Sequence, residues 1–331
     1  MMGLIRKSSF LARIVLGCLA LLLAIPTDGF ADETQYPDRP IRMIVPFAAG
    51  SVTDILARVV AQHLEPRLHG TIVVENKPGA GGNLGAAFVA AAAPDGYTLM
   101  MGSVSTNAIN PSLYKDLPFE PLRDFAPITG AASVTNALVV PDSVPAHNVD
   151  DLVALMKGNK YNYASGGAGG AQHLAGALFT SLTGTQATHV PYKGGSPALP
   201  DLLSGRVQFM FCNLPLCLPY INNGKLRALG VTSTQRSVLL PDVPTMAQLG
   251  LAGCGVDGWF GLFAPSRVPP PILDRLNREV VAILSQDDVR KQLLAQGAEP
   301  IPASREQFTA FVKSEHDKWA SAIAKLGITL E

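Results

Sequence analysis

Short β-branched runs alternate with longer amphipathic segments along almost the whole chain, and that alternation confines it to α/β architectures. Residues 41–45 read as a strand and 53–68 as a helix whose apolar positions Ile55, Leu56, Val59, Val60 and Leu64 fall at helical spacing. A strand over 71–75, a Gly-rich turn, a helix over 83–92 and a strand over 98–102 follow, giving a βαβαβ run of parallel strands with helices on both faces. A second alternating series starts with a strand over 138–140 and a helix over 149–156 that Asn148 can cap, and it continues to a strand over 226–231. Pro241, Pro244 and the glycines at 250, 253, 255 and 258 then shift the composition before an apolar strand over 259–264.

The tail reads as helical, over 272–284, 287–294 and a last helix opened by Ser304 with Gln307 in capping-box spacing. Helices of that length must bury an apolar side. The economical arrangement returns the chain to its first unit: lobe one comprises 32–133 and 257–331, and lobe two 134–256. The expected fold is therefore α/β and two-lobed, each lobe a mostly parallel sheet flanked by helices, joined by crossing segments near 131–135 and 256–259. Two such crossings make a hinge.

Arg6, Lys7 and Arg13 precede an apolar run over 14–25 with a small-residue exit at Gly29-Phe30-Ala31, so residues 1–31 read as a cleaved signal peptide. The run is too short for a comfortable membrane span. It also continues well past Cys18, against lipoprotein cleavage there. A soluble, exported protein is expected. With 26 Lys+Arg against 26 Asp+Glu over the full chain, nothing points to nucleic acid. Once Cys18 is removed, Cys212, Cys217 and Cys254 cannot all pair within one molecule, and they read mainly as small core hydrophobes.

Three Gly-rich or hydroxyl-rich turns each close a predicted strand and open a helix: 47–54, 78–83 and 165–170. Helix N-termini present free amide donors and the positive end of the dipole, which suits an anion without needing a lysine. In open α/β sheets ligands sit outside the carboxyl ends of strands. Nucleotide chemistry fits poorly, since Gly79-x-Gly81 is followed by Leu84 where GxGxxG needs glycine. Ser165, His173, His189, Asp54 and Cys212 could serve an enzyme as residue types, yet no GxSxG elbow, HExxH pair or paired-carboxylate motif organises them. No metal and no cofactor are expected.

The segments YPDRPIRMIVPFAAGSVTDILAR, VVENKPGAGGNLGA, PDGYTL, NPSLYKDLPFEPLRDFAPI, HVPYKGGSPALPDLLSGRV, GKLRALGVTS and LPDVPTMAQLG, in that order, resemble the Bug-type extracytoplasmic receptors of tripartite tricarboxylate transporters over essentially the whole mature chain. The resemblance implies a periplasmic two-lobed binding protein of the type II class that hands a small carboxylate to the permease subunits of a cation-driven transporter, and a monomer is expected. It places the ligand loops at Phe47, Ala48, Gly50, Ser51, Thr53 and Asp54 in lobe one, and at Ser165, Gly166, Gly169 and Gly170 with Tyr192, Lys193 and Gly194 in lobe two. It further implies a carboxylate held by backbone amides, hydroxyls and bridging waters. Asp54 has a second reading, as a first-turn acid that suits the helix dipole. Where the family commonly has two consecutive glycines this chain has Gly50-Ser51, and Cys212 stands where an acidic residue is frequent. A sensory adaptor for a membrane kinase would use the same pocket. A hydrolase would need a Ser-His-acid triad in the cleft.

Overall fold

The computed structural model describes residues 36–326, so the signal peptide and Cys18 lie outside the described residues. Among the described residues eleven strands form two sheets. Sheet one contains β1 (Ile41–Val45), β2 (Ile72–Asn76), β3 (Thr98–Ser103), β4 (Phe125–Val134), β10 (Gly258–Pro265) and β11 (Ala298–Pro300), in the order β11-β4-β10-β3-β1-β2. Sheet two contains β5 (Asn136–Pro141), β6 (Tyr161–Ser165), β7 (Ala187–Pro191), β8 (Phe209–Asn213) and β9 (Leu226–Val231), in the order β7-β6-β8-β5-β9. The longer helices are α1 (Val52–Leu68), α2 (Asn83–Ala90), α3 (Val149–Gly158), α4 (Ala171–Thr183), α5 (Gly195–Leu203), α6 (Leu214–Asn222), α7 (Pro270–Leu284), α8 (Asp287–Ala295) and α9 (Arg305–Leu326).

Each sheet is mixed, with its parallel half built by the βαβ units. β1 runs parallel to β2 and β3, and β6 parallel to β7 and β8. The antiparallel half belongs to the strands that carry the chain between sheets. β4 passes directly into β5 through Thr135 and pairs antiparallel with β10, the strand that brings the chain back. A chain that leaves a sheet and returns to it beside its own exit has to run the opposite way. Gly258 lies opposite Val134, so the outgoing and returning strands are hydrogen-bonded neighbours where they change sheets.

The sequence reading passed over β4 and β11 as strands. Pro127 and Gly130 interrupt the Phe125–Val134 run, a composition that local propensity reads as loop. Gly130 pairs with Gly261 of β10. A Cβ on Gly261 would lie 2.2 Å from Phe308 Cζ, and one on Gly130 2.5 Å from the Ile301 carbonyl oxygen. The missing side chains let α9 and the β11 connection lie flat on the sheet, a reason that exists only in the tertiary structure. The terminal helices pack on sheet one. α7 packs on α1 and β4, and α9 packs on β4. Leu273, Leu276, Val280 and Ile283 of α7 are buried, as are Phe308, Val312, Trp319 and Ile323 of α9. Burying an aliphatic side chain of this kind stabilises the fold by about 1.5–3 kcal/mol.

Cys212, Cys217 and Cys254 are buried and free, as small core residues would be. Burial pushes the Cys254 thiol up to about 12, which keeps it protonated and unreactive.

Candidate functional site

The loop after β1 is folded by its own side chains. Ser51 caps α1, its Oγ accepting from the Asp54 N–H at 3.3 Å. The Asp54 carboxylate accepts from the Gly50 N–H at 2.9 Å, from Asn76 Nδ2 at 2.9 Å and from Arg58 at 3.0 Å. Burial pushes the Asp54 pKa up, but these donors outweigh it and hold the carboxyl below its ordinary range. Asp54 therefore fixes the loop from behind, with its oxygens already occupied.

The loop after β6 is stapled in the same manner. The Gly166 N–H donates to Gln172 Oε1 at 2.6 Å, and the Gly169 N–H to His173 Nδ1 at 3.1 Å. Ser165 Oγ accepts from the Gly167 N–H at 3.1 Å and lies 2.7 Å from His189 Nε2. The two imidazoles stack with ring centroids 3.9 Å apart. Burial is the first cause that lowers both, His173 to about 4 and His189 to about 3, with mutual repulsion adding to the latter. Both are neutral near pH 7. Ser165 is fully buried, and among the described residues no carboxylate bonds to His189, so this pair is a structural staple and not a hydrolytic dyad.

The two loop sets are in contact. The Ala48 N–H donates to the Lys193 carbonyl at 3.0 Å, Ser196 Oγ to the Gly50 carbonyl at 2.6 Å, and Tyr114 Oη to the Ala168 carbonyl at 3.0 Å. Gly81 shows how close the approach is: it sits at φ 63°, and a Cβ there would lie 2.4 Å from the Ala168 oxygen. The described structure is thus a closed form.

Closure leaves a cavity of about 60 Å³ between the sheets. Three helix N-termini meet on it, at Val52 and Thr53 of α1, Ala171 and Gln172 of α4, and Gly195 of α5. Gly170 and Gly194 occupy the N-cap positions of α4 and α5 and make no side-chain cap, so the first-turn amides keep their donor capacity. Phe47 and Phe260 supply apolar wall, and among the described residues no charged side chain lines the cavity. Of the residues expected at the site, Phe47, Ser51, Thr53, Gly166, Gly170 and Gly194 line it. Ala48, Gly50 and Lys193 instead form the clasp across the cleft. Asp54 and Ser165 brace loops from within, Gly169 lies against Asn110 and Tyr114, and Tyr192 Oη donates to Asp201 at 2.6 Å, away from the cavity.

Sequence reasoning missed Ser103, Ser105, Gln172, Asn213 and Phe260 on the wall. Ser103 and Ser105 end β3 and open a π-helical turn (Ser105–Ile109), a third strand end of the kind where ligands sit, so their signal was present. Ser103 Oγ is buried without a hydrogen-bond partner. Gln172 and Asn213 begin a chain of amides. Gln172 Nε2 donates to Asn213 Oδ1 at 3.0 Å, Asn213 Nδ2 to Asn136 Oδ1 at 2.8 Å, and Asn136 Nδ2 to the Val256 carbonyl at 2.7 Å. It links the cavity to both crossing segments. Among the described residues no group of three His, Cys, Asp or Glu could hold a metal ion, and no helix is long and apolar enough to cross a membrane.

Residues 56–328 match the family described as "Tripartite tricarboxylate transporter family receptor". The chain is 38% identical to Protein BugT of Bordetella pertussis over 313 residues, 93% of this chain and 96% of that protein. Among solved structures, the periplasmic binding protein BugD is similar with TM-score 0.85 and 37% identity, covering 89% of this chain and all of that one. Rpa4515 of R. palustris, solved with adipate, is similar with TM-score 0.85 and 35% identity over 89% of this chain and 99% of that one.

Proposed function

The chain belongs to the tripartite tricarboxylate transporter family of receptors, and from that premise we propose that it captures a small carboxylate in the cleft between its two sheets and hands it to the permease of such a transporter. The convergence of three helix N-termini on a closed cavity free of charged side chains carries this reading. Each terminus presents unsatisfied N–H groups and a partial positive charge, and low dielectric strengthens what they do to an anion. A carboxylate there accepts from several fixed donors without a lysine or arginine that would have to be stripped of water. The adipate held by Rpa4515 favours a dicarboxylate.

The lobes divide at 133/134 and 256/257, the binding loops are those after β1, β3 and β6 with the start of α5, and the mature protein begins near residue 32 in the periplasm. The cleft closes by rotation at the two crossings, since a ligand that touches both loop sets stabilises the closed form by its differential affinity for it. A thermal-shift screen of mono-, di- and tricarboxylates on the mature protein tests the proposal. At least one carboxylate should raise the melting temperature in a saturable manner, and a flat response across all of them contradicts it.

A further inference from the structure

A larger cavity, of about 640 Å³, lies beside Trp259, whereas the neighbouring Phe260 faces the cleft. Its size is that of a small-molecule site. Its walls come from both sheets' surroundings: Thr232–Thr234 follow β9, Trp259 belongs to β10, and Phe308 and Phe311 belong to α9. The aromatic wall is organised, with Trp259 edge-on to Phe308 at 6.0 Å and to Phe311 at 5.3 Å between ring centroids.

The polar groups are few and unequal. Glu315 is satisfied, since its Oε2 accepts from Trp259 Nε1 at 3.0 Å and from Trp319 Nε1 at 3.1 Å, and its Oε1 holds Lys318 Nζ at 2.9 Å. Lys318, the one cation among the described wall residues, is thereby committed. Asp257 has a hydrogen bond from Thr232 Oγ1 at 2.6 Å but no ion-pair partner among the described residues. Burial pushes its carboxyl above the ordinary range, despite that hydrogen bond, the charge of Lys318 and a further hydrogen bond from the Asn136 backbone. This carboxylate shares the cavity with the aromatic wall, and Lys318, whose charge reaches it, is held by Glu315.

We infer that this cavity is a second ligand site, for a small organic cation with an aromatic body, whose ammonium pairs with Asp257 and whose ring packs against Trp259 and Phe311. The opposite charge preference separates it from the cleft. Rings and carboxylate together recognise an arylalkylamine, through cation–π and charge-assisted contacts.

The protein's two tryptophans, Trp259 and Trp319, both donate to Glu315, so tryptophan emission reports on this cavity. The test titrates benzylamine into the mature protein while tryptophan emission is followed, with benzyl alcohol and benzoate as uncharged and anionic comparators. Benzylamine should give a saturable change with roughly tenfold or greater affinity over either comparator, and Asp257→Asn should erase that preference. Phe311→Ala, at a partly exposed ring, should weaken benzylamine several-fold and serves if Asp257→Asn does not fold. Equal response to all three compounds, no saturable response, or an unchanged benzylamine affinity in both variants overturns the assignment.

Discussion

Asn213 Nδ2 donates to Asn136 Oδ1 at 2.8 Å, which ties a residue on the cavity wall to the first residue after the outgoing crossing. Asn136 in turn donates to the Val256 carbonyl on the returning crossing, so one fully buried amide holds both connections. Asn136→Ala leaves the Val256 oxygen and Asn213 without their donor or acceptor, and should cost about 1–3 kcal/mol of stability. Asn213→Ala keeps the crossings tied together and breaks only the link to the cavity. It should lower ligand affinity while costing less stability than Asn136→Ala. Denaturant melts and calorimetric titrations on the same two variants check the ordering, and equal losses in both quantities would refute it.

Gly81 tests closure itself. A side chain there meets the Ala168 oxygen across the cleft and suffers a left-handed backbone, so Gly81→Ala should hold the cleft open. Small-angle scattering should show that the wild type contracts on saturation with a bound carboxylate and that Gly81→Ala contracts less. Identical radii of gyration for wild type with and without ligand argue for a rigid, preformed cleft.

Three hydroxyls separate contact from scaffold. Thr53 lines the cavity and is buried, with its neighbour Ser51 spent on capping α1. Thr53→Val should weaken binding by about 0.5–3 kcal/mol with little change in melting temperature. Ser51→Ala should also cost about 1 kcal/mol of stability through the lost cap. Ser103 Oγ has no partner in the described structure, so Ser103→Ala should leave stability unchanged or raise it while lowering affinity. An unaltered affinity in Thr53→Val and Ser103→Ala together would shift the contact to the backbone amides alone.

How much of this was legible in sequence follows from where each signal resides. β1, α1 and the Gly-rich turns announce themselves locally, because β-branched runs, helical spacing and Ser51 as a cap act within a few residues. β4 and β11 do not, since what makes Gly130 a strand residue is Gly261 beside it and Ile301 above it. The same division runs through the site. Turn residues such as Gly166 and Gly170 are visible by type, whereas Asn213 and Phe260 reach the wall only because two distant strand ends are brought to one cleft. Asp54 and Ser165 have the residue types of a ligand contact, and hydrogen bonds from their own loops take up that capacity.

Acid should loosen the lobe-two loop before it titrates most carboxylates. His173 and His189 have folded pKa values of about 4 and about 3, below the ordinary histidine value of about 6.5. The unfolded chain therefore binds more protons between these limits, and stability falls as pH drops from about 6.5 toward 4. For buried His173 the loss is on the order of 2–3 kcal/mol. Asp54, whose pKa is depressed, adds its own loss only at lower pH, below the ordinary carboxylate range. Urea melts from pH 7.5 to 4 should show the decline in wild type and a shallower one in His173→Gln/His189→Gln. Parallel slopes would place the acid sensitivity elsewhere.

Calorimetric titration of the mature protein with adipate and with its neutral diamide compares a carboxylate with an amide of nearly the same shape, and so isolates the charge that we propose the converging helix N-termini of α1, α4 and α5 hold. The predicted result is saturable binding of a carboxylate, adipate or the best compound of the thermal-shift screen, with the matching amide weaker by at least about 1.5–3 kcal/mol and Gly170→Val abolishing both. Equal affinity for acid and amide, or undiminished carboxylate binding in Gly170→Val, would contradict the assignment of this cleft as a carboxylate receptor site.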